Sequence, residues 1–300
     1  MLASRLMKLH FSLLLPLACA LLYVLGGLSV KRAAALGVGV WRTSFLSNWA
    51  IVLIFLPVWF IAGGVIHPPA DYWQPAVTAL LYFGGQAFTF LALSRGDVSV
   101  TTPVMGTKVI LVALFSSFLR AGEVPLQWWL GAALSTTAIL FLHVGDGAKH
   151  RNVRQTVLFA FCSAASFGLG DVLLQKWLPG WGAANYFPPM FVLVGLLSCS
   201  FIPLFSAPAT ALGGAALRWV IPGALLMALN NAGVVLAVGI LRSATLVNII
   251  YSVRGLFSVL LVWLIGHWFS SDEQHLGSRV LRYRLVGATL MVAAIALVLF

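Results

Sequence analysis

Two basic side chains fall inside long apolar stretches of the sequence. Arg254 is the single charge in "LVNIIYSVRGLFSVLLVWLIG", residues 246–266, and Lys108 is the single charge in "TTPVMGTKVILVALFSSF", residues 101–118. A guanidinium that faced lipid would cost several kcal/mol, so a cation at such a place needs a partner or a use. A guanidinium binds a carboxylate or phosphate through two parallel hydrogen bonds, and an ammonium acts as a point charge. The pair therefore indicates an anion-binding site.

Uncharged hydrogen-bonding side chains accompany the two cations. Six of them are candidates for the substrate site: Tyr251, Asn248, Thr101, Thr102, Asn230 and Asn231. Tyr251 precedes Arg254 by three residues and Thr101 precedes Lys108 by seven, so on a helix each would share a face with its cation. The alternative for the two asparagines is a hydrogen bond from helix to helix without substrate contact.

Acidic residues are too few to neutralise both cations. Of the seven acids, six lie in or beside apparent loops, and only Asp171 falls within an apolar stretch. Asp171 is the candidate counter-charge or coupling residue. One alternative is a structural salt bridge between Asp171 and Arg254 that contacts no substrate. The other is that the missing negative charge arrives with the substrate, because two like charges repel strongly in a low dielectric.

Composition places these residues in a membrane. Of the 300 residues, 61% are hydrophobic and 8% are charged, with a mean hydropathy of +1.01. Soluble domains carry roughly 25% charged residues. The net charge of +11 could suggest a nucleic-acid partner in a soluble protein. Here most cations lie in short loops, where orientation and lipid headgroups explain them, so we expect lipids and no nucleic acid as partners.

The chain divides into stretches long enough to cross a bilayer as helices, which takes about 20 residues. Ten are predicted: 11–30, 39–64, 75–94, 98–119, 125–145, 154–175, 185–206, 218–240, 244–267 and 283–300. The apolar run at the N-terminus exceeds that of a cleaved signal peptide, so we expect a retained first helix. The predicted fold class is an all-α integral membrane protein.

The two halves of the chain are similar to each other. "YVLGG" at residues 23–27 matches "FGLGD" at residues 167–171, and Gly131 in "LGAALSTTAILFL" aligns with Gly287 in "VGATLMVAAIALVL". We predict a first five-helix repeat at residues 1–147 and a second at 148–300. Five spans is an odd number, so the second repeat would be inverted, which is an architecture of secondary transporters.

Residues 91–142 resemble the repeat of the drug/metabolite transporter superfamily, in its EamA-like branch. The features that carry the resemblance are Ala92–Leu93 before a spanning helix, Gly122–Glu123 at its end, and a Gly-rich helix at Gly131. The resemblance implies ten helices and solute transport without ATP. Relatives of this kind move amino acids, nucleotide sugars and sugar phosphates. Val109 and Gly255 stand where that family has a proline.

Aligned to that pattern, Lys108 and Arg254 occupy the same position of the repeat, 146 residues apart. A pseudo-two-fold axis would bring them together near mid-membrane. We therefore predict a secondary transporter of a small anionic metabolite, such as a sugar phosphate, nucleotide sugar or organic acid, by exchange or facilitated transport. The first alternative is an amino-acid or drug exporter of the same superfamily, and a less favoured one is a lipid-phosphate flippase.

An enzyme is not predicted. "HVGDGAKH" places His143, Asp146 and His150 at one loop, where they could in principle bind a metal, but the spacing fits no zinc-enzyme motif. Cys19, Cys162 and Cys199 show neither metal nor disulfide spacing. No cofactor or metal is therefore expected.

Localisation is predicted to be multi-pass, in a bacterial inner membrane, with the protein a monomer or homodimer. Ten spans put both termini on one side. The loop cations, among them Lys31, Arg32, Arg151 and Arg154, are concentrated on the opposite side. The positive-inside rule then places the termini outside the cytoplasm, whereas relatives are usually drawn with both termini inside. Both orientations remain open.

Overall fold

Helices form all of the regular structure in the computed structural model, which describes residues 2–95, 98–142, 153–206, 213–265 and 278–299. In these ranges the α-helices are α1 Leu2–Ala35, α2 Val40–Ile61, α3 Trp73–Arg95, α4 Val98–Gly106, α5 Lys108–Phe118, α6 Leu126–Leu142, α7 Val153–Trp181, α8 Ala183–Ser198, α9 Gly214–Leu241, α10 Ala244–Tyr251, α11 Arg254–Ile265 and α12 Ser278–Leu299. Short 3-10 helices lie at Pro69–Asp71 and Cys199–Leu204. Helices suit lipid because they satisfy every backbone polar group internally.

Nine segments in the described part of the chain are long and apolar enough to cross a membrane. Helix α6, at 17 residues, is apolar but shorter, and the residues that follow it lie outside the described ranges. The prediction of an all-α membrane protein is confirmed to this extent. The bounds of individual spans differ from those predicted: α7 continues to Trp181 instead of ending near residue 175.

The prediction leaves residues 176–184 between the sixth and seventh spans, and these residues are almost entirely helical. Helix α7 runs through Pro179, α8 contains Pro188 and Pro189, and the turn between the helices is Gly182 alone. Gly182 has a φ of +72°, a conformation that glycine adopts without a Cβ penalty. Proline is tolerated in membrane helices because neighbouring groups satisfy the carbonyls that it frees.

The fourth and ninth predicted spans are each broken in the middle. One residue, Thr107, separates α4 from α5, which begins at Lys108. Two residues, Ser252 and Val253, separate α10 from α11, which begins at Arg254. At the first break the Thr107 hydroxyl donates to the Val104 carbonyl, and at the second the Ser252 hydroxyl donates to the Ile249 carbonyl. Such bonds compete with the backbone ladder. Each cation is consequently the first residue of a helix.

The four most extensive helix contacts are those of α1 with α9, α3 with α7, α6 with α12 and α2 with α8. The contact between α6 and α12 is reciprocal. A Cβ on Gly131 of α6 would meet Val298 and the Ala294 carbonyl, and a Cβ on Gly287 of α12 would meet Leu142 and the Ala138 carbonyl. Glycine lets the two backbones approach closely, as is common between membrane helices.

Candidate functional site

Asp171, on α7, is the centre of one polar cluster. Its carboxylate is 1% exposed, and its Oδ2 lies 2.8 Å from the Lys108 ammonium at the start of α5. The same oxygen accepts a hydrogen bond of 2.8 Å from the Asn248 side chain on α10. The Tyr82 hydroxyl on α3 donates to Oδ1. Four helices therefore converge on one carboxylate, whose charge is balanced by one ammonium.

Lys108 also contacts an aromatic ring. Its ammonium lies 5.7 Å from the centroid of the Phe167 ring, within the range of a cation–π interaction. Phe167 and Asp171 are four residues apart on α7 and so share a face. The lysine is thus held by a ring and a carboxylate on successive turns of one helix, and its side chain is only 15% exposed.

Arg254, at the start of α11, is the centre of a second cluster. Its guanidinium carbon lies 4.6 Å from the ring centroid of Tyr23 on α1 and 4.7 Å from that of Tyr251 on α10. The two rings meet edge to face, with centroids 6.3 Å apart. A guanidinium nitrogen donates to the Tyr251 hydroxyl at 3.3 Å. The groups in contact with this cation are therefore neutral: two aromatic faces and a hydroxyl.

Hydrogen bonds extend this second cluster into α9. The Tyr251 hydroxyl and the Asn230 side chain are hydrogen-bonded at 2.9 Å, and the Asn230 and Asn231 side chains lie 3.1 Å apart. Asn230 is 3% exposed. This chain fixes the Tyr251 ring beside Arg254, which is itself only partly buried. Among the described residues, no carboxylate forms an ion pair with Arg254.

The structure divides the predicted site residues between these two clusters. Lys108, Asn248 and Asp171 lie in the first, and the second contains Arg254, Tyr251, Asn230 and Asn231. The remaining two, Thr101 and Thr102, lie on α4, on the other side of the helix break from Lys108. Thr101 is buried and Thr102 partly buried.

The alternative salt bridge between Asp171 and Arg254 does not form. The carboxylate pairs with Lys108, because α5 packs against α7 near Gly168, where an added Cβ would meet Val112 and Phe115. Arg254 instead packs beside α1, through Tyr23. The two cations thus differ: within the part of the chain that the structure describes, Lys108 forms an ion pair with a carboxylate, and the groups in contact with Arg254 are neutral.

Three residues of the clusters were missing from the predicted site: Tyr23, Tyr82 and Phe167. Two of them carry a signal in the sequence, because Tyr23 and Phe167 are the first residues of the matching segments "YVLGG" and "FGLGD". Each lies against one of the two cations that align in the repeat pattern. Tyr82 has no comparable signal.

Metal ligands do not gather in the described ranges, where no three His, Cys, Asp or Glu side chains form a group that could hold an ion. The loop residues considered for a metal, His143, Asp146 and His150, lie outside the described residues. Cys19, Cys162 and Cys199 are free thiols.

Residues 10–144 match the model of the EamA-like transporter family, which is part of the drug/metabolite transporter superfamily. The match covers most of the first predicted repeat, residues 1–147, and shows that this part of the chain is similar to that family. The resemblance seen in the sequence is therefore confirmed. A solved structure described only as "Crystal structure of protein" superimposes with a TM-score of 0.75, covering 96% of this chain and 98% of its own, at 17% identity. That likeness shows a shared fold. No curated protein matches the sequence.

The family match and the apolar helices point to a multi-pass membrane transporter rather than an enzyme. Such a protein binds a small-molecule substrate and is surrounded by lipid. The two polar clusters lie on helices that belong to its candidate spans. They are consequently polar groups that a substrate crossing between these helices could meet.

Proposed function

We propose that this EamA-like protein is a secondary transporter of a small anionic metabolite and that Arg254 binds the anionic group. The observation that carries the proposal is the guanidinium itself. It lies in the candidate span Ala244–Leu261, between two tyrosine rings and without a carboxylate partner among the described residues. An intramembrane charge of this kind is costly and is therefore a functional site by default.

The turn before Arg254 contributes little to the positive potential at the guanidinium. Helix α10 ends two residues before α11 begins, so the partial negative charge of one helix end and the partial positive charge of the other lie at the same place. The Gly255 amide donates to the Ser252 carbonyl at 3.0 Å and the Phe257 amide to the Val253 carbonyl at 2.9 Å. The guanidinium is therefore the group that favours an anion over a cation at this place.

The ten-span, inverted-repeat layout is part of the proposal. Three observations support it. Lys108 and Arg254 each begin a helix after a break in the middle of a span. The reciprocal glycine contacts of α6 and α12 join the aligned positions Gly131 and Gly287 to equivalent places on the partner helix. The pairing of α1 with α9 is matched by that of α3 with α7. A two-fold axis parallel to the membrane would generate each of these relations.

Lys108 takes a supporting role in this proposal. Because its charge is balanced by Asp171, it contributes little net attraction for a substrate anion. Asp171, bound by lysine, asparagine and tyrosine, holds four helices together beside the substrate path. Asn230 and Asn231 orient the Tyr251 ring, which faces Arg254. Exchange or facilitated transport needs no titrating residue and agrees with this arrangement.

Ligand-dependent thermal stability tests the proposal. The purified protein in mild detergent is heated with benzoate, succinate, inorganic phosphate, glucose 6-phosphate or leucine. A ligand at a hundred times its Kd stabilises the native state by about 2.7 kcal/mol. We expect at least one anion to stabilise the wild type and Arg254→Gln to abolish that response.

Arg218→Gln is the matched control, since it removes the same charge from the exposed start of α9 and should leave the response unchanged. Stabilisation by leucine alone, retained in Arg254→Gln, would overturn the proposal in favour of an amino-acid exporter. Uptake of the stabilising anion into proteoliposomes then distinguishes transport from binding. The bacterial inner membrane and a monomeric or dimeric state remain predictions.

A further inference from the structure

Each cation contacts an aromatic ring at the same position of the repeat, and the residue four positions after that ring differs between the halves. Lys108 contacts Phe167, and four residues further along α7 it meets Asp171. Arg254 contacts Tyr23, and four residues further along α1 the chain has Gly27. Residues four apart on a helix share a face. Arg254 therefore has the aromatic ring of the first arrangement but a glycine in place of its carboxylate.

The glycines beside these positions show that the correspondence is spatial. A Cβ on Gly170, just before Asp171, would meet Leu81 and Tyr82 of α3. A Cβ on Gly26, just before Gly27, would meet Leu226 and Met227 of α9. In each half, therefore, the glycine just before the position under comparison packs against two consecutive residues of the partner helix. Tyr82, which donates to Asp171, has Met227 as its counterpart.

We propose that the anionic group of the substrate binds Arg254 beside Gly27. In the other half of the protein, the equivalent position is Asp171, which has its own carboxylate. This inference rests on the proposed function and narrows it. With Lys108 balanced by Asp171, one unmatched positive charge remains in the two clusters of the described chain. A carboxylate carries one negative charge, whereas a phosphate monoester carries about 1.5 to 2 at neutral pH. The substrate class that fits is a monocarboxylate.

Space at Gly27 agrees with this placement. A Cβ added there would meet only the terminal methyl group of Met227, at 3.8 Å, an ordinary contact with a flexible side chain. At Gly26, by contrast, an added Cβ would lie 3.2 Å from Leu226 and 3.3 Å from the Met227 backbone. Position 27 therefore accepts a side chain, and its glycine is not required by close packing alone.

A charge-complementation cycle tests the geometry without a substrate. Gly27→Asp and Gly27→Asn are nearly identical in shape and differ in charge, and each is made with Arg254 and with Arg254→Gln. If position 27 faces the guanidinium, Gly27→Asp melts higher than Gly27→Asn, by at least about 3 °C, only while Arg254 is present. An equal difference in both backgrounds, or an aspartate variant that fails to fold where the asparagine variant folds, would overturn the inference.

Anion binding tests the substrate class. In the wild type, benzoate should bind more tightly than succinate or inorganic phosphate. Gly27→Asp should raise the apparent Kd for benzoate at least tenfold relative to Gly27→Asn, because the new carboxylate takes the place of the ligand. Asp171→Asn should improve succinate binding at least fivefold relative to benzoate, because it releases Lys108 to bind a second carboxylate.

The two proposals fail in different ways. If no anion stabilises the wild type, the proposed function falls, and the substrate class falls with it, whatever the cycle shows. If an anion binds through Arg254 but Gly27→Asp binds it as Gly27→Asn does, the proposed function stands and the site beside Gly27 is wrong. Tighter binding of succinate or phosphate than of benzoate to the wild type would overturn the monocarboxylate.

Discussion

Removing one partner of the Lys108–Asp171 ion pair should destabilise the protein, and removing both should cost less than the sum of the two single changes. The two charged atoms lie 2.8 Å apart, and the carboxylate is 1% exposed. At an effective dielectric constant of about 20, the gross attraction at this distance is about 6 kcal/mol. Desolvation of both groups offsets a large part of it, and the 15% exposure of Lys108 adds screening.

Asp171→Asn leaves the ammonium without its carboxylate, and Lys108→Met leaves the carboxylate without its ammonium. Removing one partner of a buried pair typically costs about 3–5 kcal/mol, since the remaining charge stays buried. The new asparagine also affects Asn248. The Asn248 amide donates to the carboxylate of Asp171, and the new side chain would offer it one acceptor oxygen instead of two. We expect the cost of Asp171→Asn to lie in this range.

A double-mutant cycle isolates the pair. The combined variant Lys108→Met and Asp171→Asn should be more stable than the sum of the single costs implies, by about 2–3 kcal/mol, the upper range for residues in direct contact. Reversible unfolding in mixed micelles, followed by circular dichroism, gives the four free energies. Additive costs, within about 0.5 kcal/mol, would refute the argument that the two charges neutralise each other.

Three further predictions concern packing and hydrogen bonds. Gly287→Ala should cost about 1–3 kcal/mol, since its Cβ would lie 2.8 Å from a backbone oxygen of α6, whereas Gly84→Ala, with open space around it, should be neutral in the same unfolding assay. Gln175→Leu should cost about 1–3 kcal/mol, because the glutamine accepts from the buried first N–H of α10 and donates to the carbonyl of Ala121. Asn48→Leu should cost about 1 kcal/mol by leaving the Gln86 amide unpaired, and a second change, Gln86→Leu, should recover part of it.

The membrane class and the two cations could be predicted from the sequence because each depends on local pattern. Apolar stretches of spanning length are visible without tertiary information, and a single charge within one is conspicuous. The helix breaks are not visible in this way. Apart from Lys108 and Arg254, the stretches around Thr107 and Ser252 carry no charge, and the hydroxyl bonds at the breaks depend on side-chain rotamers.

The partner of Asp171 could not be predicted from composition, since Lys108 and Arg254 were equally available to it. The choice depends on which helix packs beside α7, and that is a property of the whole bundle. The matching segments that contain Tyr23 and Phe167 did indicate that the two cations have equivalent aromatic neighbours. Combined with the alignment of the two cations, they would have placed each ring beside its cation and shown Gly27 where Asp171 has a carboxylate.

The environment of Arg254 suits a cation that must be stable without its ligand and still gain from binding it. Two cation–π contacts contribute about 0.5–2 kcal/mol each, which is less than the several kcal/mol that a buried charge costs. A permanent carboxylate, as at Asp171, would remove that deficit and compete with any incoming anion. A substrate carboxylate can instead form charge-assisted hydrogen bonds of about 1.5–3 kcal/mol each with a guanidinium that is already held in place. In the proposed site the aromatic rings therefore allow the ligand-free protein to fold, and Gly27 leaves the guanidinium available to the anion.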